Sequence, residues 1–361
     1  MTTTHPVRTD CRLLNPRVVP QFPATRYQGS KRKHAAAIVE QTRDLSFSTV
    51  LDAFGGTGAV AYAFKLAGKR VTYNDALAFN QQIGLALIEN DSVRLSDEEI
   101  ATIGERRAGL PYGDFIERTF AGVYFTDDEN RWLDTAVGNI RSLTCPYKQA
   151  LAWFSVFQAA MAKRPYNLFH RSNLYMRTAD VTRSFGNKVC WDRPFADHVH
   201  AHAVEANEAV FKGPEPCRAI RRDALEVEPA FDLVYIDTPY INRKGVGVDY
   251  RDFYHFLEGM VRYDDWPDLV DRGFKHIPLR RKPNRWSDPS TSLDAFHALF
   301  ERFRDSYLVI SYRNDGMPSI EQMTQALRGM KKRVRVVELV QRPYALSTNR
   351  RTREMLLVAT D

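Results

Sequence analysis

The chain has 361 residues, 44% hydrophobic and 26% charged, enough apolar material for one large domain or two modest ones with a true core. No stretch approaches the roughly 20 apolar residues of a spanning helix, which excludes a helical membrane protein. The net charge of +7 favours an acidic partner, nucleic acid first, while Cys11, Cys145, Cys190 and Cys217 stand at no metal or redox spacing; they read as free thiols of a reducing compartment, and no metal is expected.

In chain order, residues 1–23 are polar, hold Pro6, Pro16, Pro20 and Pro23, and lack an apolar leader core; they read as a loose N-terminal arm on a cytoplasmic protein. Val50 to Phe54 is a short apolar run ending in Gly55-Gly56-Thr57-Gly58, followed by a predicted helix from Ala59 to Ala67 that Gly68 closes. A second strand is predicted from Arg70 to Asn74, with Asp75 at its end, and then a helix from Leu77 to Glu89. Strand, glycine turn, helix and strand make a βαβ unit, hence a parallel sheet. Residues 91–214 break that rhythm and read as an insert, helical in parts, aromatic and basic in others. The α/β pattern resumes with strands predicted at Phe231 to Ile236, Tyr307 to Tyr312, Arg333 to Val340 and Glu354 to Ala359. Helices are predicted at Asp252 to Val261, Leu293 to Arg304 and, behind the capping box Ser319/Gln322, through Leu327. The fold class is α/β, one domain (residues 24–90 and 215–361) split by the insert.

Three segments carry candidate chemistry. The turn Phe54-Gly55-Gly56-Thr57-Gly58 lacks both the full G-x-G-x-x-G spacing and a phosphate-binding Lys; it is either a structural turn or a place where backbone approaches a ligand. Asp75 is suited to accept hydrogen bonds from ribose hydroxyls, or to cap the next helix. Asp237-Thr238-Pro239-Tyr240 follows a buried strand directly, at the edge where open α/β sheets bind ligands, although such a loop also serves as a plain turn. Arg26-Tyr27-Gln28-Gly29-Ser30-Lys31 is a solvated loop before a helix unless it belongs with the other two.

Taken together and in order, these pieces resemble the adenine-specific DNA methyltransferases of the Dam-like (alpha) motif arrangement. The matching segments are Tyr27-Gln28-Gly29-Ser30-Lys31, the Phe54–Gly58 loop, Asp75, an insert, Arg222-Asp223-Ala224 and then Asp237-Thr238-Pro239-Tyr240. Leu308-Val309-Ile310-Ser311-Tyr312 and Ser347 to Glu354 also conform. The resemblance implies a Rossmann-like sheet that binds S-adenosylmethionine, with a target-recognition insert. Tyr27, Lys31, Phe54, Gly55, Gly56, Thr57, Gly58, Asp75, Asp223 and Ala224 would then hold the cofactor, Asp75 on its ribose and Asp223 on its adenine amine. Asp237 and the carbonyl of Thr238 would each accept an N–H of the target amine. Pro239 would stiffen the loop, and Tyr240 would stack on an extruded base. The family's first loop proline is Thr238 here, which keeps the carbonyl. No metal and no covalent enzyme intermediate is implied.

Between Arg141 and Arg193 nine Lys/Arg face two Asp, an excess equal to that of the whole chain, and aromatic residues are interleaved. Trp153, Phe154 and Phe157 sit in an apolar helical stretch and read as core. Lys163, Arg164, Asn167, His170, Arg171 and Asn173 are polar and loop-like and are expected to contact DNA, as are Arg183 and Lys188. Arg243 and Lys244 lie in a glycine-containing stretch expected to cover the flipped base, and Asn349 and Arg350 complete the DNA set. His255 reads as structural, and Lys275, Arg280, Arg281 and Lys282 as a solvated loop. The expected partner is duplex DNA, met by a monomer, with any restriction endonuclease a separate protein. Methylation of the cytosine amine, methylation of RNA, or a non-catalytic DNA-binding role on the same fold remain the rival readings.

Overall fold

In the computed structural model, residues 20–181, 188–339 and 352–361 are described. The residues 1–19 of the expected arm, and Arg183, Asn349 and Arg350 of the expected DNA set, lie outside them.

The first strand, β1 (Thr49–Asp52), sends Val50 to one face of the sheet and Leu51 to the other, both fully buried. The chain turns through residues 53–58 into helix α2 (Ala59–Leu66), which is preceded by α1 (Ala35–Glu40). Gly68 ends α2 with φ +80°, a conformation only glycine takes without strain. Strand β2 (Arg70–Asn74) then pairs parallel with β1, Thr49 opposite Arg70 and Asp52 opposite Tyr73. Strands β3 (Arg218–Ile220), β4 (Leu233–Ile236), β5 (Tyr307–Arg313), β6 (Arg333–Leu339) and β7 (Glu354–Thr360) complete a seven-stranded sheet in the order β3-β2-β1-β4-β5-β7-β6. The pairs from β3 through β5 are parallel, while β7 runs antiparallel to both of its neighbours.

A parallel sheet must be covered on both faces. One face, with Leu51, Val234, Ile236, Leu308 and Ile310, is covered by α8 (Ser292–Arg302) and α9 (Ile320–Arg328) through Phe296, Leu299, Phe300, Met323 and Leu327. The Ser319/Gln322 capping box starts α9 as expected. The other face, with Val50, Val71, Tyr73, Leu233 and Tyr235, packs on Phe64 of α2 and Phe79 of α3 (Ala78–Gly84). The helix expected from Leu77 to Glu89 changes pitch at Leu85 and finishes as a π-turn.

The segment after α3 is helical, with α4 (Asp127–Ser142), α5 (Pro146–Ala162) and α6 (Phe195–Ala209) as its long members and no strand among the described residues 91–214. Trp153, Phe154 and Phe157 of α5 are buried, and the Phe157 ring meets Phe79 of α3 edge to face at 5.8 Å. The core of this segment is therefore continuous with the sheet's second face. The helix expected from Asp252 to Val261 breaks at Tyr254 into Tyr250–Phe253 and α7 (His255–Val261). His255 is wholly buried, its Nε2 within hydrogen-bond distance of Tyr124 Oη and the carbonyl of Phe169. Among the described residues no helix is long and apolar enough to cross a membrane.

Candidate active site at the carboxyl edge of the sheet

Parallel strands end on a common edge, and here β1, β2 and β4 end on carboxylates or lead into them: Asp52, Asp75 and Asp237. They line one cleft of about 290 Å³. Of the residues expected to hold a cofactor, Tyr27, Lys31, Phe54, Gly55, Gly56, Thr57, Asp75, Asp223 and Ala224 line it. Gly58 stands behind the wall, against Ile88 and Tyr73. Asp237 and Pro239 of the second loop line the cleft too, while Thr238 is buried beneath it with an unpartnered Oγ1.

The glycine turn is built for close approach. Gly56 has φ +50°, and a Cβ on Gly55 would lie 2.1 Å from the ring of Tyr73. Asp75 accepts a backbone N–H at the entry to the next helix, close to its reading as a cap, and also holds the glycine turn. Its Oδ1 accepts the Leu77 N–H at the start of α3 (2.9 Å), and its Oδ2 accepts the Gly56 N–H (3.0 Å) and the Asn80 amide (3.0 Å). The glycine turn and the next helix are thus tied to one carboxylate, whose pKa burial pushes up.

Tyr27 stacks on Tyr254 at 4.5 Å and on Tyr250 at 5.4 Å, and the Gln28 N–H donates to Tyr254 Oη (2.8 Å). The break at Tyr254 brings these rings together. Gly29 follows, with φ +82° and the Tyr250 hydroxyl 2.5 Å from where a Cβ would sit. The Tyr-x-Gly-Ser-Lys segment is therefore part of the site.

Lys31 lines the cleft, but its ammonium is spent on carboxylates: Asp237 Oδ1 at 2.9 Å and Glu354 Oε1 at 3.4 Å. Burial alone lowers the Lys31 pKa; the two carboxylates outweigh it and the net shift is upward. Tyr240 lies within 2.8 Å of the same two oxygens through its hydroxyl, and the Lys31 ammonium sits 4.8 Å from its ring centroid. Asp237 Oδ2 makes no protein hydrogen bond among the described residues.

Three members of the site carry no assigned role in the sequence reading. Glu354 belongs to the terminal segment quoted for the resemblance. Asp52, 1% exposed, has an unpartnered Oδ1, and its pKa is pushed to about 8 by burial and then by Asp237. Its legible signal is a charge closing an apolar buried strand. Trp286 meets Phe54 edge to face at 4.9 Å, and residues 282–286 form a wall of the cleft, so Lys282 is not part of a purely solvated loop. No pattern marks this wall in the sequence.

The expected DNA set divides. Lys163 is a correction: its side chain is 2% exposed and bonds Glu129 (2.9 Å) and the carbonyls of Trp191 (2.7 Å) and Arg193. Arg164 is another, buried over the Tyr124 ring at 4.3 Å and donating to the carbonyls of Leu168 and Arg171. Asn173 is also buried. These groups are not on a surface that phosphates can reach. The reason is the turn that follows α5, where Tyr166 and Asn167 take positive φ (63° and 59°) and the chain folds back over the two cations. The same turn leaves Tyr166 70% exposed. Asn167 and His170 are half-buried, and Arg171, Arg243 and Lys244 are exposed. Lys188 is exposed and paired with Asp192 at 2.8 Å. Arg243 and Lys244 sit in a tight turn closed by Asn242 Oδ1, which accepts the N–H groups of Lys244 and Val246.

Residues 27–304 match the model of the D12 class N6 adenine-specific DNA methyltransferases. The chain belongs to this family. D12 methyltransferases act on the N6 amine of adenine in DNA, and S-adenosylmethionine is the methyl donor that this reaction class implies. Among similar proteins, the type II methyltransferase M2.HphI of Haemophilus parahaemolyticus is 28% identical over 88% of this chain and 91% of its own length. The modification methylase StsI of Streptococcus sanguinis is 26% identical over 84% of this chain, which spans only 46% of that protein. The type II methyltransferase M.NlaIII of Neisseria lactamica is 23% identical, covering 83% and 84% respectively.

The cleft fits the cofactor of a D12 methyltransferase on one observation in particular. Asp52 Oδ1 is a buried carboxylate oxygen in the wall with nothing to accept from, as a site for a ligand ammonium requires.

Proposed function

We propose that this chain methylates the N6 of an adenine swung out of duplex DNA, with motifs in the Dam-like order, as the modification arm of a restriction system. It would act as a cytoplasmic monomer, any cognate endonuclease being a separate protein. The observation that carries the reading is the state of Asp237: Oδ1 is fixed by Lys31 and Tyr240 while Oδ2 remains for a substrate donor. The family match and its modification-methylase relatives support the setting.

An adenine amine is a poor nucleophile because its lone pair is delocalised into the ring. Asp237 Oδ2 and the Thr238 carbonyl, each accepting one N–H, draw the nitrogen toward tetrahedral geometry and free the lone pair. S-adenosylmethionine, when bound, supplies a sulfonium methyl. The chain's own contribution is position and electrostatics. In this reading Asp52 holds the methionine ammonium, Asp75 the ribose, Asp223 the adenine amine, and Phe54 with Trp286 one apolar wall beside the cofactor's base. Residues 91–214 supply target recognition. On their DNA-facing side Tyr166 takes the place of the buried Lys163, Arg164 and Asn173, beside Asn167, His170, Arg171 and Lys188, and Arg243 and Lys244 join from the loop after Asp237.

The test is transfer from labelled S-adenosylmethionine to unmethylated duplex DNA, followed by digestion to nucleosides. N6-methyladenine is the expected product. Methylated cytosine, incorporation into RNA alone, or cofactor binding without transfer would each overturn the reading.

A further inference from the structure

The contacts around Tyr240 pose a question of hydrogen count. Its hydroxyl oxygen lies 2.8 Å from Asp237 Oδ1 and 2.8 Å from Glu354 Oε1. Oxygen atoms approach to 2.8 Å when a hydrogen lies between them, and a phenol brings one hydrogen for two such contacts. One carboxyl must bring the second. Lys31 distinguishes the two, since its ammonium is 2.9 Å from Asp237 and 3.4 Å from Glu354, so the anion is better placed at Asp237.

We propose that Glu354 is a positioning residue held as the neutral acid: it donates to Tyr240 Oη, which commits the one phenolic hydrogen to Asp237 Oδ1. Asp237 then receives two donors on Oδ1, from Lys31 and Tyr240, with Oδ2 open to the target amine. Glu354 touches no substrate in this arrangement and acts through Tyr240. Burial raises its pKa against the pull of Lys31, in keeping with the neutral form. The inference rests on Asp237 being the carboxylate that accepts from the amine.

The test compares Glu354→Gln with Glu354→Leu in single-turnover methyl transfer, cofactor affinity being measured separately by calorimetry. Gln is neutral, of the same shape, and with Nε2 toward Tyr240 still donates to it, giving up only the long 3.4 Å contact of Lys31 with Oε1; it should slow transfer by about threefold or less, whereas Leu should slow it by about thirtyfold or more with cofactor affinity unchanged. A loss of about tenfold or more with Gln overturns the proposal, because it would mean that the charge of Glu354 is what matters. This result decides even if the Leu variant fails to fold. In a double-mutant cycle, Tyr240→Phe with Glu354→Leu should be no slower than the slower single variant, and additive losses would also overturn the proposal. Asp237→Ala is the control for the underlying reading: if it transfers normally, Asp237 is not the acceptor, whatever the Glu354 variants do.

Discussion

The indole of Trp286 meets the ring of Phe54 edge to face, with centroids 4.9 Å apart, joining the glycine turn to a segment more than two hundred residues further along the chain. Phe296 of α8 backs the indole at 5.6 Å, so the wall rests on a helix that covers the sheet. Trp286→Ala should weaken S-adenosylmethionine binding about tenfold in calorimetry, the effect of losing one aromatic wall. The indole should also report binding as a fluorescence change that Trp286→Phe removes. Affinity within twofold of wild type would refute this role.

Asp237→Ala should lower transfer by about a thousandfold while leaving cofactor affinity within a few fold, since the residue is assigned to the target amine. The measurement is single-turnover rate beside a binding isotherm. Normal turnover would remove Asp237 from the mechanism.

Asp52 predicts a pH effect on stability. Its folded pKa is about 8, far above the ordinary 3.8, with burial the first cause. Between those values the folded state holds a proton that the unfolded chain has released, so stability falls as pH rises toward 8. Asp52→Asn cannot titrate. The fall in melting temperature from pH 5.5 to pH 8 should therefore be shallower in the variant; equal slopes would mean that Asp52 is not so perturbed.

Lys163 and Tyr166, three positions apart, should behave oppositely. Lys163→Met leaves Glu129 short of a partner in a buried cluster and should cost about 3 kcal/mol in denaturant unfolding. Tyr166→Ala should leave unfolding unchanged and raise the KM for DNA about tenfold, as expected for a lost ring contact to bases. A DNA defect without destabilisation in the Lys163 variant would restore the surface reading of that residue.

The βαβ start was legible because each element carries its own punctuation, Gly68 stopping a helix and Asp75 following a strand, and the late helix was legible from Ser319 with Gln322. The cleft residues from Tyr27 to Asp237 were legible because their backbone demands or their chemistry restrict which residue can stand there. Lys163 and Arg164 were misread for a physical reason. A polar run looks the same whether its charges meet water or a buried carboxylate and carbonyls, and only tertiary structure supplies Glu129 or the Tyr124 ring. Trp286 was invisible for a similar reason, since its partner lies in a distant segment.

Among the described strands β7 is the last in sequence, yet it does not add to the rim of the sheet but slots between β5 and β6. It also delivers Glu354 to Lys31, which comes from near the opposite end of the chain. Pairing of β7 with both neighbours and seating of Glu354 against Lys31 are therefore one event: the sheet cannot close without that contact forming, nor the contact form while the sheet stands open.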